Sequence, residues 1–186
     1  MKTVLFVPGF REDLSDRNYK SVIQAIESKD YRVCFLPIKW SRTTLNHWLK
    51  EVETEYARYD SNDVVLAGFS FGAITALMAA TKKNPSELWL FSLSPYFQED
   101  SPKKSRLKRI GKRRANAFSR LNFKKIAPKI KCKTLVFVGN NETNEIKKRA
   151  KSSSDSLKSV KLILVDNCKH DVSAPQYIKA IKKTIE

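Results

Sequence analysis

The chain reads as an α/β protein whose strands form a doubly wound parallel sheet, and three observations predict this. Six short apolar runs alternate with helical patterns along the 186 residues, the order that places helices on both faces of a parallel sheet. The runs are continuous rather than alternating (VLFV, VVLA, TLVFV, LILV), as strands covered on both faces are. A hydrophobic content of 41% in a chain of this length suffices for one core without disulfides or metals, so 1–186 is expected to be a single domain.

The first strand is expected over 2–7 (KTVLFV), ended by Pro8-Gly9-Phe10. A helix follows over 14–28, with Tyr19, Val22, Ile23 and Ile26 at helical spacing and Asp13 as its cap. The second strand covers 32–38, and Leu45, Trp48, Leu49, Val52, Tyr56 and Tyr59 then make one helical stripe. The third strand, 63–67, runs straight into GFSFG at 68–72, and the small apolar residues of 71–82 predict a buried helix. Strands four, five and six are expected over 87–93, 133–138 and 160–165. A polar helix starts near Thr143, and Pro175 opens a last helix bearing Ile178, Ile181 and Ile185, capped by Ser173 or Ala174.

Composition narrows the function classes. No stretch approaches 18 uninterrupted apolar residues, which argues against a membrane-spanning helix. MKTVLFVPGF lacks a small-residue cleavage site and reads as a strand, so a cytoplasmic protein is expected. The cysteines, Cys34, Cys132 and Cys168, are odd in number and form no C-x-x-C pair, which suggests neither a disulfide framework nor a zinc site. Cys34 and Cys132 are expected to be buried and inert, and Cys168 partly exposed. The formal charge is +17, yet residues 101–133 hold fourteen Lys or Arg and no acid, which leaves 22 basic and 19 acidic residues elsewhere. The basicity belongs to one insert.

GFSFG carries the chemistry. Glycines two residues before and after a serine, between a strand and a helix, remove the side chains that would block a tight turn. Such a turn lifts the Ser70 side chain above the sheet edge, and the helix amides that follow, including that of Phe71, point where a negative oxygen forms. Three fixed residues of about 7% usage recur by chance in roughly one chain in twenty, so the context decides between this reading and an ordinary glycine-rich turn. A serine needs a base, and the chain has two histidines. His47 lies between stripe positions of the second helix and reads as a surface residue. His170 lies five residues beyond the sixth strand, on the same sheet edge as Ser70. A carboxylate there should orient it. Glu142 comes first in the loop after the fifth strand. Glu145 falls in the first turn of the helix, Asp166 is a further alternative, and Asp171 is too near His170 in sequence.

With these residues in the order nucleophile, acid, histidine, the chain resembles a small α/β-hydrolase over essentially its whole length. In that family a Gly-x-x-Asp loop commonly supplies the acid, and Gly139-Asn140-Asn141-Glu142 fits it with Glu for Asp. The family's histidine usually follows Gly, where this chain has Lys169. The two N-terminal antiparallel strands of larger members are missing, as in minimal ones. The resemblance implies a sheet order of 2-1-3-4-5-6 and a binding crevice where that order reverses. It implies a second oxyanion donor from the first loop, the Phe10 amide with Gly9 as runner-up, to pair with Phe71.

Residues 94–132 fall where that family inserts lids. Leu107, Ile110, Phe118 and Leu121 suggest one or two amphipathic helices interrupted near Gly111. The basic block reads as a solvated cap, or as a surface in 103–133 for an anionic membrane, nucleic acid or acidic substrate. It lacks the interleaved aromatics of a single-strand binding platform. Arg11 and Arg42 follow the first two strands and suit a carboxylate or phosphate, although an ion pair with Glu12, Asp13 or Asp16 is the plainer role for Arg11.

The expectation is therefore a cofactor- and metal-independent serine hydrolase acting on a small-molecule ester or thioester through acyl-Ser70. The pocket is expected from Gly9, Arg11, Trp40 and Phe69, with Phe71 beside them. The alternatives are an acyltransferase or peptidase using the same residues, or a non-catalytic binder of polyanions or anionic membranes on the same scaffold.

Overall fold

The computed structural model describes residues 1–101 and 104–185. Lys103, where the basic stretch begins, and Glu186, the end of the expected domain, lie outside the described residues. The strands are β1 (Thr3–Val7), β2 (Arg32–Phe35), β3 (Val64–Phe69), β4 (Glu87–Phe91), β5 (Lys133–Gly139) and β6 (Val160–Val165). The helices are α1 (Tyr19–Glu27), α2 (Leu45–Tyr56), α3 (Phe71–Ala80), α4 (Lys104–Ile110), α5 (Lys112–Phe118), α6 (Phe123–Ile126), α7 (Asn144–Ser156) and α8 (Pro175–Thr184).

All neighbouring strands pair in parallel, in the expected order β2-β1-β3-β4-β5-β6. Alternate strand residues feed two cores. Leu5, Val7, Leu66, Leu88, Leu90 and Val136 pack with α2, α3 and α7. Val4, Phe6, Val65, Trp89, Phe91 and Phe137 pack with α1 and α8. The small residues of α3 let it sink against the sheet, and Gly72, Ala73, Ala76 and Ala79 are all buried. All strands present their carboxyl ends to one edge, so the loops after β1, β3, β4, β5 and β6 share it.

Several boundaries differ from the sequence reading. β3 runs on to Phe69 and β5 to Gly139, because both continue their ladders to the sheet edge. β2 stops at Phe35, just before Pro37, which offers no N–H to a ladder. β4 stops at Phe91, where Ser92 turns the chain at φ 51°. α1 begins only at Tyr19, since Arg17 and Asn18 take positive φ, and Leu14 is left exposed. Asp13 caps nothing there and accepts from Ser15 instead. Ala174, not Ser173, is the cap of α8.

The insert between β4 and β5 breaks at Gly111 (φ 84°) into α4 and α5, as the sequence suggests. Its apolar side belongs to the core through Ile110, Phe118, Leu121, Phe123 and Ile126. The Phe118 ring lies 5.2 Å from that of Phe71 and 6.2 Å from that of Trp48. Arg149 of α7, 2% exposed, clasps Asp100 through Nε at 2.9 Å and Nη2 at 2.5 Å. It also lies over the rings of Phe97 and Phe123 at 4.9 and 4.5 Å. A guanidinium this buried needs that bidentate partner, and the pair ties the insert to α7.

The cysteines reverse expectation. Cys168 is buried and Cys34 and Cys132 are half-buried. Cys168 packs beneath the loop after β6, and burial, then the Asp171 and Glu142 charges, push its thiol up to about 11. Among the described residues no helix is long and apolar enough to cross a membrane.

Candidate active site

Ser70 is the single residue between β3 and α3, at φ 57° and ψ −112°. A non-glycine residue there carries about 1–3 kcal/mol of strain, so its surroundings must hold it. Its N–H donates to the Phe91 carbonyl at 2.9 Å, which carries the β3–β4 ladder into the turn. A Cβ on Gly68 would overlap the Gly72 carbonyl, and a Cβ on Gly72 would overlap the carbonyls of Val7 and Pro8. The two glycines thus let α3 start hard against β3 and β1. Ser70 is left 8% exposed at the sheet edge.

The neighbouring strand ends deliver its partners. His170, from the loop after β6, places Nε2 3.0 Å from the Ser70 hydroxyl and Nδ1 2.6 Å from Glu142 Oε2. The Glu142 side chain is 0% exposed. A carboxylate only accepts, so Nδ1 carries the proton and Nε2 accepts from Ser70. Ser70 Oγ then accepts from Ser94 Oγ, 3.0 Å away. Glu142 is held in turn by the Gly139 N–H (2.9 Å) and the Ser92 hydroxyl (2.5 Å), both donating to Oε1. With its hydrogen spent there, Ser92 accepts from the Tyr177 hydroxyl at 2.8 Å. Burial first, then the Glu142 charge, holds Tyr177 well above the usual phenol pKa, so it stays a donor.

The structure brings Ser70, His170 and Glu142 into one line and leaves the other acids out of it. Glu145 sits in the first turn of α7, Asp166 accepts from Asn140, and Asp171 accepts from Ser173. His47 is exposed and closes the capping box of α2 with Thr44. Phe69 lies behind the imidazole, its ring 4.8 Å from that of His170, so it supports the histidine rather than facing a ligand. Arg17 lies over the Phe69 ring at 5.3 Å and donates to the His170 carbonyl at 3.1 Å.

On the other side of Ser70, Phe71 opens α3 and its ring lies 5.2 Å from that of Phe10. Phe10 also meets Trp40 at 5.6 Å, and Tyr96 meets Phe71 at 4.9 Å. The Gly9 N–H donates to Tyr19 at 3.0 Å, which engages the runner-up oxyanion donor and leaves Phe10 as the candidate. Arg11 does not take the ion pair expected of it. Glu12 pairs with Arg17 instead, and the exposed Arg11 guanidinium lies 5.1 Å from the Phe10 centroid.

Sequence reasoning missed Ser92, Ser94, Tyr177, Arg17 and Arg114. The two serines had a readable signal, since FSLS leaves the fourth strand at the shared edge. The others had none, because only the packing of α8, of the first loop and of α5 brings them near the site.

No family model and no curated protein matches this sequence. Solved structures do match. Est1E from Butyrivibrio proteoclasticus superposes with a TM-score of 0.83 at 15% identity, covering 98% of this chain and 86% of that one. An α/β hydrolase from the metagenome of lagoon sediments at Mar Chica, Morocco, gives 0.71 at 21% identity, covering 92% and 83%. This chain has the α/β-hydrolase fold. A bromoperoxidase from Bacillus anthracis shares the α/β-hydrolase architecture with a TM-score of 0.77 at 15% identity, covering 98% and 89%.

Proposed function

We propose that the chain is a serine hydrolase that cleaves small carboxylic esters or thioesters through an acyl-Ser70 intermediate. The observation that carries this reading is the unbroken line Ser70–His170–Glu142, at 3.0 and 2.6 Å, with the serine held in a strained turn. In the proposed reaction Ser70 Oγ attacks the carbonyl carbon while His170 Nε2 takes its proton. Glu142 keeps the ring oriented and stabilises the imidazolium. The Phe71 and Phe10 amides hold the oxyanion. The tetrahedral intermediate collapses, His170 protonates the departing alcohol or thiol, and the acyl group remains on Ser70. Water, deprotonated by the same Nε2, then attacks the acyl-enzyme and frees the acid. The aromatic wall of Phe10, Phe71 and Tyr96 supports an apolar acyl group. Est1E, which has a structure with ferulic acid bound, supports a small carboxylic acid as product.

The test is labelling with a fluorophosphonate probe. Wild type should label stoichiometrically, and Ser70→Ala and His170→Ala should not. A folded wild type that resists labelling would sink the reading and favour a binding role for the scaffold.

A further inference from the structure

The cations beside the site are arranged for a ligand. A cleft of about 640 Å³ lies on the far side of Phe10 from Phe71, lined by Arg11, Trp40, Arg42 and Arg114 among others. A second, of about 220 Å³, shares Arg42 and Arg114 with it and adds Lys112 and Arg113. Five positive side chains thus converge from three separate segments: the loop after β1, the loop after β2, and α5 of the insert.

The cations are held there against cost. Arg11 and Arg42 have φ of 64° and 57°, left-handed positions that glycine fills more cheaply. Arg114 is anchored by donating to the backbone carbonyls of Trp40 (2.7 Å), Thr43 (3.0 Å) and Ile110 (3.1 Å). Its guanidinium shares the Phe10 ring with that of Arg11, each 5.1 Å from the centroid. Burial, then the neighbouring Arg11 and Arg113 charges, lowers the Arg114 pKa, the mark of cations crowded without a counter-ion. Two acids line the larger cleft, but both are engaged: Glu12 by Arg17 and Tyr19, and Asp13 by the N–H and hydroxyl of Ser15. Among the described residues, no ion pair engages Arg11, Arg42, Arg113 or Arg114.

We infer that this cleft is an anion-binding subsite of the proposed hydrolase, and that its substrates are esters or thioesters carrying a carboxylate or phosphate a few bonds from the scissile carbonyl. The inference rests on the hydrolase reading for the ester and on the cleft for the anion. Ring-to-ring and ring-to-charge steps of 5.2 and 5.1 Å connect Phe71, beside the nucleophile, to the guanidinium groups across Phe10. One small molecule spans that path with its carbonyl at Ser70 and its anion between Arg11, Arg42 and Arg113. Arg114, bound to backbone, positions the Phe10 ring and adds its charge.

The test compares mono-4-nitrophenyl glutarate, which is anionic, with the neutral 4-nitrophenyl butyrate. Wild type should show a higher kcat/KM on the glutarate, with the preference shrinking in 0.5 M KCl. In the Arg42→Gln/Arg113→Gln double variant, the glutarate-to-butyrate ratio should fall about tenfold, the effect of losing one charge-assisted contact. Both positions are exposed, so thermal melting should show the variant folded. A wild-type ratio near one, or a ratio unchanged in the variant, overturns the subsite. So does an unchanged ratio accompanied by lost retention on phosphatidylserine vesicles, which would make the cations a surface contact. If neither ester turns over, the hydrolase reading falls separately. Calorimetric titration of Ser70→Ala with glutarate then decides the subsite. Binding that the double variant abolishes upholds it, and no binding overturns it.

Discussion

The catalytic line is only as good as the orientation of one buried carboxylate, and that orientation is set by hydroxyls outside the three residues themselves. Glu142 has its Oε2 committed to His170, so rotation about its last bond is opposed by what holds Oε1: the Gly139 amide and the Ser92 hydroxyl, itself fed by Tyr177. Tyr177 touches neither nucleophile nor base, so it is a positioning residue. Tyr177→Phe removes a donor from a fully buried acceptor and should cost about 1–2 kcal/mol of stability. It should also lower kcat several-fold with KM nearly unchanged, because Glu142 loses rigidity and no substrate contact is lost. Chemical denaturation and steady-state kinetics on one ester check both effects. A kcat equal to wild type at matched stability would confine Tyr177 to packing.

At the scale of elements, the site depends on α3 starting immediately after Ser70, and Gly72 permits it. A Cβ there would enter the carbonyl layer at the end of β1, and backbone does not yield as a flexible side chain does. Gly72→Ala should destabilise the fold by about 1–3 kcal/mol, as overpacking does. It should also lower fluorophosphonate labelling, since α3 must move away from β1 and take Ser70 with it. Melting and labelling measured together test this, and a stable variant labelling at the wild-type rate would contradict the geometry. The same junction explains what the sequence made legible. Strand order, the serine turn and the order of the partners follow from periodic apolar runs and two paired glycines, which are local signals. The start of α1 was not legible, because left-handed Arg17 and Asn18 look like helix formers in sequence. Nor was the place of Arg114, whose partners Trp40, Thr43 and Ile110 are mostly distant in the chain.

Across the whole molecule the charge is lopsided. The sheet and its helices are nearly balanced, and the surplus within the net +17 is carried largely by the insert, whose apolar side is part of the core. Charge repulsion therefore acts on a segment that cannot detach without exposing Phe118, Phe123 and Ile126. Alkaline pH changes this balance in two opposed ways. Lysines that lose their protons ease the repulsion. Buried acids that hold their protons in the folded state work in the other direction. The Cys168 thiol is pushed from its ordinary 9.0 up to about 11 by burial and by the Asp171 and Glu142 charges. Between those values the unfolded chain releases a proton that the folded chain keeps. The stability this group contributes is full below pH 9 and is lost as pH rises through 11. Tyr19 and Tyr177, both raised chiefly by burial, extend the loss to higher pH. The raw melting curve mixes these with the lysines, so the comparison with Cys168→Ala isolates the thiol. From pH 8 to 11 the melting temperature of the variant should fall less steeply than that of wild type, with the two curves diverging only above pH 9. Parallel curves would mean that the thiol is solvated in the folded protein, and the loop after β6 that carries His170 would then be looser than its packing indicates.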